Sequence, residues 1–208
     1  MAGILSPKFT SVMVDNDLDC VIKNDKNNNF NFKDSELKID KVSFMEFNEC
    51  YFYKIKASSN VFYNVQFVDV IFENCDFSNS NFEFCSFVRC EFKNTKLLGS
   101  NFFNSSFQDV LFEGSMKYSN FATNKFKKVC FSEAFLEDSR FIECKFSFVS
   151  FVKSNINRID FTKCNLSGLD FSTCEFDDIK INPSDLRGIK LNSFQACIIA
   201  RKLGIIIV

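Results

Sequence analysis

The sequence predicts an all-β fold in which the chain winds into a four-sided coil. From residue 62 to residue 112 a bulky apolar residue occupies every fifth position. These positions are Phe62, Phe67, Phe72, Phe77, Phe82, Phe87, Phe92, Leu97, Phe102, Phe107 and Phe112. A helix turns by about 100° per residue, so side chains five apart share no helical face. In a flat strand they would point alternately to opposite faces. A chain that turns by about a quarter circle every five residues directs them all inward and stacks residues twenty apart.

Small residues follow the same period. One lies two positions before each inward residue, as at Ser80, Cys85, Cys90, Thr95, Ser100 and Ser105. Polar residues such as Asn81, Glu83 and Lys93 lie between them and suit a solvated exterior. This repeat resembles that of the pentapeptide-repeat proteins, and the resemblance covers most of the chain. It implies a right-handed quadrilateral parallel β-helix.

The repeat divides the chain into three segments. Residues 1–29 are interpreted as an irregular N-terminal segment or first coil, residues 30–191 as the pentapeptide-repeat β-helix, and residues 192–208 as a C-terminal helix and dimerisation tail. In the first segment Cys20 and Ile22 have the spacing of one repeat, whereas the polar stretch Lys23–Asn29 predicts a loop. That loop is either a functional projection or part of an irregular first coil.

The register shifts once within the repeat. After Phe112 the next inward residue is Met116, so one side of the coil has lost a residue within Glu113–Ser115. Gly114 is predicted to form the tighter corner, because glycine accepts backbone conformations closed to other residues.

Most of the ten cysteines are accounted for by the same pattern. Seven lie at the small positions, namely Cys50, Cys75, Cys85, Cys90, Cys144, Cys164 and Cys174. The sequence has no CxxC pair and no histidine to complete a zinc site, so we interpret them as reduced core residues. Cys144 and Cys164, twenty apart, are predicted to be stacked neighbours.

Composition argues against several function classes. The formal net charge is −1, which gives no general attraction to nucleic acid or membranes. Without histidine, a glycine-rich phosphate loop or an activated nucleophile, the sequence predicts neither an enzyme nor a cofactor or metal site. The N-terminus shows no secretion signal, so we expect a cytoplasmic protein.

The C-terminus predicts a capping helix over Phe194–Leu203, with Asn192 or Ser193 as N-cap and Gly204 just after its end. Its apolar residues would be buried by a twofold dimer. The predicted dimerisation residues are Phe194, Cys197, Ile198, Ile199, Leu203, Ile205, Ile206, Ile207 and Val208.

The stretch DLRGIKLNSFQACIIARKLGI, Asp185–Ile205, resembles the C-terminal repeat and dimer-forming helix of the Qnr quinolone-resistance branch of this family. The resemblance implies a homodimeric rod that imitates duplex DNA. Such a rod would bind DNA gyrase or topoisomerase IV and protect these type II topoisomerases from fluoroquinolones, without binding nucleic acid itself.

Charge suggests where such a partner would bind. Residues 60–115 have seven acidic and three basic side chains, a formal charge of −4, whereas residues 116–208 have a formal charge of +4. The candidate partner-binding residues are Asp69, Glu73, Asp76, Glu83, Glu91, Asp109 and Glu113. Two alternatives stay open at this point. These charges can be a solvated exterior, and the protein can be a structural or interaction rod with an unrelated partner.

Overall fold

The computed structural model describes residues 3–21 and 26–207, which form a parallel β-solenoid closed by a C-terminal helix. The strands are β1 Val14–Asp15, β2 Lys26–Asn28, β3 Phe30–Lys33, β4 Lys41–Ser43, β5 Glu46–Asn48, β6 Tyr51–Tyr53, β7 Val61–Tyr63, β8 Gln66–Val68, β9 Ile71–Glu73, β10 Asn81–Glu83, β11 Ser86–Lys96, β12 Ser106–Ser115, β13 Lys125–Ser132 and β14 Lys145–Val152. The helices are α1 Leu18–Val21, a 3-10 helix Pro183–Leu186 and α2 Ser193–Lys202.

Each coil has four faces, and neighbouring coils pair in parallel with an offset of twenty residues. Face A contains residues 46–48 and their partners 66–68 and 86–88. Face B contains 51–53, 71–73 and 91–93, and face D contains 41–43, 61–63 and 81–83. Face C, between B and D, is marked by bridges at residues 36, 56, 76 and 96. Faces B and D therefore lie on opposite sides of the coil, and the predicted quadrilateral parallel β-helix is confirmed.

The inward residues form a continuous aromatic core. Phe82 stacks on Phe62 and Phe102 with ring centroids 4.6 and 4.9 Å apart, and it meets Phe77 edge to face at 5.5 Å. The inward positions predicted from residue 32 to residue 176 are buried, except Phe146, which is partly exposed. Burying one phenylalanine side chain contributes about 1.5–3 kcal/mol, so the repeated phenylalanines are needed for folding.

The small residues hydrogen-bond as well as fill space. The Ser100 hydroxyl donates to the Phe77 carbonyl at 2.8 Å, and the Cys85 thiol donates to the Phe62 carbonyl at 3.3 Å, in each case 23 positions back. All seven cysteines predicted for the core are buried, and Cys144 N–H lies 3.3 Å from Cys164 Sγ. The predicted burial of these seven cysteines and the predicted stacking of Cys144 and Cys164 are both confirmed. Serine, threonine and cysteine therefore share these positions because each combines small volume with a donor.

The register shift lies where the sequence predicts it. Phe92 pairs with Phe112 and Thr95 with Gly114, so two residues of β11 lie opposite one residue of β12. Gly114 has φ 119°, and a Cβ atom there would lie 2.5 Å from the Thr95 carbonyl oxygen. Glycine is required at this corner by conformation and by close approach.

The N-terminal region corrects two expectations. The predicted loop Lys23–Asn29 is wrong for Lys26–Asn28, which form β2, with buried Asn27 opposite Phe47. The polar residues do not prevent strand pairing, because Lys26 and Asn28 are exposed and Asn27 alone takes the inward position of this first coil. In α1 Cys20 is exposed and Leu18 is buried. Residues 22–25 lie outside the described part.

Residues 3–13, here called the strap, precede β1 and form neither strand nor helix. Their backbone donates to side chains of three different coils.

The C-terminal helix closes the last coil. Asn192 is its N-cap, and a capping box links Asn192 Oδ1 to Gln195 N at 2.9 Å and Gln195 Oε1 to Asn192 N at 3.0 Å. Gly204, at φ 82°, follows the helix as predicted. Helix α2 begins and ends one residue earlier than predicted.

Candidate partner-binding surface

Five of the seven predicted acidic residues lie on face B or at the corner before it. Asp69 and Asp109 occupy the corner column, whereas Glu73, Glu91 and Glu113 belong to face B. Paired strands are about 4.8 Å apart, so Glu73 and Glu113, two coils apart, are separated by about 10 Å along the axis. A partner that lies along face B would meet this acidic series.

The other two acidic residues lie elsewhere. Asp76 is on face C, between Lys56 and Lys96 of the neighbouring coils. Glu83 is on face D, where its Oε1 accepts from the side-chain amide of Asn101 at 2.9 Å. One flat interface cannot use all seven residues, because Glu83 lies ten positions, half a coil, from Glu73.

Two of the three acidic groups of face B contact a neighbouring polar side chain. The Tyr51 hydroxyl donates to Glu73 Oε2 at 2.7 Å, and Lys93 Nζ lies 2.6 Å from Glu91 Oε2. Burial, together with the Glu73 carboxylate, raises the pKa of Tyr51 to about 12, so Tyr51 is a neutral donor at physiological pH. Glu113 is half-buried and has no side-chain hydrogen bond or ion pair within the described residues.

The corner carboxylates are covered. Arg89 donates from Nε and Nη2 to the two oxygens of Asp69, both at 2.6 Å. The strap adds a bond from Lys8 N to Asp69 Oδ1 at 2.9 Å and one from Leu5 N to Asp109 Oδ1 at 3.2 Å. Asp109 is only 2% exposed. These two residues are thus inaccessible to a partner while the strap is bound.

Comparison with known proteins identifies the repeat. The family model described as pentapeptide repeat region matches residues 65–129 and 114–191. The chain belongs to the pentapeptide-repeat family. No curated protein sequence matches it significantly.

Two solved structures are similar to this chain. A trypsin-treated variant of QnrB1, a plasmid-mediated fluoroquinolone resistance protein, is similar over 88% of this chain and 90% of its own, with 23% identity and a TM-score of 0.61. HetL, a pentapeptide-repeat protein involved in heterocyst differentiation regulation in the cyanobacterium Nostoc, aligns over 81% of this chain and 90% of its own, with 10% identity and a TM-score of 0.43.

The predicted dimerisation residues of this pentapeptide-repeat protein fall into two groups. Ile198 and Ile199 pack against the core, and Cys197 is half-buried. The exposed group consists of Phe194, Leu203, Ile205, Ile206 and Ile207. Val208 lies outside the described residues. Among the described residues, the exposed group is the most accessible to a second chain.

Sequence reasoning missed an aromatic cluster at the corner of the repeat that follows face D. Phe44 and Phe84 are exposed and flank Tyr63, with ring centroids 5.7 and 5.5 Å from it. Both phenylalanines have positive φ, 56° and 58°, in a region that favours asparagine or glycine. The signal in the sequence was Phe at a corner position that elsewhere holds Asn64 and Asn104.

Across the described residues, no group of three or more His, Cys, Asp or Glu side chains is placed to hold a metal ion. None of the described helices is long and apolar enough to cross a membrane.

Proposed function

We propose that this protein is a non-enzymatic, DNA-mimicking rod that binds a type II topoisomerase, gyrase or topoisomerase IV, and protects it from fluoroquinolones. A topoisomerase partner implies a cytoplasmic protein that meets the enzyme in place of DNA and does not bind DNA itself. The observation that carries the proposal is the acidic series on face B. Carboxylates repeated along one face of a rod present negative charge as a duplex presents its phosphates, which suits a positively charged DNA-binding surface.

The fold similarity to QnrB1 supports this choice of partner. So does the resemblance of Asp185–Ile205 to the C-terminus of the Qnr branch.

A gyrase supercoiling assay with a fluoroquinolone tests the proposal. The purified protein should restore supercoiling in the presence of the drug. The double variant Glu73→Lys, Glu113→Lys should require about tenfold more protein for the same effect, because two charges on face B are reversed. Salt should weaken the protection, since the attraction is electrostatic.

For a matched comparison, Glu83→Lys is set against Glu73→Lys alone, because each reverses one half-buried glutamate, on the opposite faces D and B. Glu83→Lys is the control. Its protection should equal that of the natural protein. Circular dichroism and urea unfolding show whether each variant is folded. Absence of protection by the natural protein, or equal losses in the face B variant and the control, would contradict the proposal.

We further propose a twofold dimer through the exposed C-terminal residues. Ile206 is 87% exposed and Phe194 67% exposed. Exposing this apolar surface to water is unfavourable for a monomer, and a dimer would bury it. Ile206→Asp should give monomers in light scattering without loss of the fold. Ile198→Asp is a poorer test, because Ile198 packs on the rod and its loss would also undo the cap. A dimer that persists in Ile206→Asp would place the interface elsewhere.

The aromatic cluster favours a second candidate, an interaction rod with an unrelated protein partner. Phenylalanines exposed on a corner where other coils have Asn64, Asn104 and Lys163 indicate a use beyond folding. Phe84→Asn should relieve the conformational cost and raise stability. If it also abolishes capture of a specific protein from host lysate while gyrase protection is absent, this candidate replaces the first.

A further inference from the structure

The strap follows the column of corner residues that adjoins face B. Leu5 N donates to Asp109, Lys8 N to Asp69 and Thr10 N to Glu49, at 3.2, 2.9 and 2.6 Å. The three carboxylates stand in one column, because they are separated by multiples of twenty residues. An extended chain rises about 3.3 Å per residue, so the three residues from Leu5 to Lys8 match the two coils between Asp109 and Asp69.

The donor pattern of the strap also follows the charge pattern of the column. The residue between Asp69 and Asp109 in the column is Arg89, a cation. The strap between Lys8 and Leu5 contains Pro7, which has no N–H to offer. Donors are therefore supplied to the anions, and one of the two strap residues between them, Ser6 and Pro7, has no N–H.

Apart from Thr10, whose hydroxyl donates to the Glu49 carboxylate at 2.9 Å, side chains hold the strap only weakly. Leu5, Phe9 and Val12 are exposed, Val12 to 89%. Ile4 is half-buried and lines a groove of about 510 Å³ with Phe148, itself exposed. A segment with few buried apolar contacts opens at low free energy.

We propose that the strap is an intrachain cover that competes with the partner for the acidic corner. When it is bound, Asp69 and Asp109 are hidden and the acidic surface is reduced to face B. When it leaves, Asp109 and Glu49 lose the donors of the strap and join that surface, whereas Asp69 keeps its ion pair with Arg89. The negative charge open to a cationic partner increases. This inference rests on the proposed function for the identity of the partner, but the covering itself does not.

Proline substitution tests it in the full chain. Leu5→Pro and Lys8→Pro each remove one N–H donor, whereas Leu5→Ala and Lys8→Ala remove the same side chain and keep the donor. Hydrogen exchange of the Thr10 amide reports strap release. A decalysine peptide is the probe for the uncovered surface, and gyrase is the second probe.

We expect faster Thr10 exchange in both proline variants and decalysine binding about tenfold tighter than in the alanine controls, because affinity scales with the fraction of open protein. Gyrase should likewise bind the proline variants more tightly than the alanine controls. Proline variants that leave exchange unchanged, or that release the strap without tightening decalysine binding, would overturn the cover. If the proline variants bind decalysine more tightly but bind gyrase as the alanine controls do, the strap does not control gyrase binding. Decalysine discrimination with no gyrase binding by any variant would support the cover and overturn the proposed function.

Discussion

Gln195 offers a sharp test of how the rod is closed. Its side chain is 1% exposed, and Nε2 donates to the carbonyls of Phe171 and Cys174 at 2.8 and 2.7 Å. Its Oε1 accepts from Asn192 N at 3.0 Å. Gln195→Met keeps an unbranched side chain of similar length and removes all three bonds. The change therefore isolates hydrogen bonding from packing.

The magnitude follows from what each lost bond leaves behind. The Phe171 carbonyl keeps a second donor, Cys174 N at 2.8 Å, whereas the Cys174 carbonyl loses the donor that Gln195 supplies. An unpaired buried carbonyl costs about 1–3 kcal/mol, and each further bond about 1 kcal/mol. We expect a total of about 3–5 kcal/mol. Asn192→Ala, which removes the N-cap oxygen, should cost about 1 kcal/mol.

Native-state hydrogen exchange is the assay, because the end of a solenoid can open without global unfolding. Amides of residues 155–180 should lose about two to three and a half powers of ten in protection in Gln195→Met, since about 1.4 kcal/mol corresponds to a factor of ten. Asn192→Ala should lose less than one power of ten. Equal protection in the two variants would refute the reasoning that Gln195 pairs the last coil's carbonyls.

Three further predictions concern the rod itself. Phe82→Ala should lower the free energy of unfolding by about 3–5 kcal/mol in urea titration, whereas exposed Gln66→Ala should change it by less than about 0.5 kcal/mol; similar losses at both would contradict the register. In native protein Ellman's reagent should react fastest with Cys20, which is exposed, and Cys20→Ser should remove that fast phase. The bond from Arg158 holds the pKa of Asp138 below its usual value, so this pair adds stability above about pH 4 and loses it as the pH falls further. The stability difference between the natural protein and Asp138→Asn should shrink from pH 5 to pH 2, and a constant difference would exclude the linkage.

The sequence was sufficient for the core, because a strict period fixes which residues point inward. The phase change from Phe112 to Met116 located the shortened corner, and Gly114 identified how the corner is made. The same period also determines on which face of the coil each acidic residue lies. Glu73 and Glu83 are ten positions apart and hence on opposite faces, a deduction that grouping by net charge overlooked.

The ends of the rod could not be predicted in the same way. The strap has no period, and its partners Asp109, Asp69 and Glu49 are 104, 61 and 39 positions away. Backbone donors leave no trace in the side-chain pattern. Gln195 is a polar residue in an apolar helix, which predicts a solvent-facing position, yet the unpaired carbonyls of the last coil make burial favourable.

The faces of this rod differ more in their ion pairs between neighbouring coils than in their net charge. In its second half acidic residues meet a base twenty positions later, as in Asp138 with Arg158 and Asp160 with Lys180, both at 2.7 Å. On face B the base twenty positions after Glu73 is Lys93, but Lys93 pairs with Glu91 of its own coil. Glu73 and Glu113, on either side of Lys93, have no ion pair within the described residues, although Glu73 accepts a hydrogen bond from the neutral Tyr51 hydroxyl. A cationic partner gains most from carboxylates that need not first be separated from an internal cation. Face B therefore has the acidic groups best suited to such a partner, although the total charge of the chain is near zero.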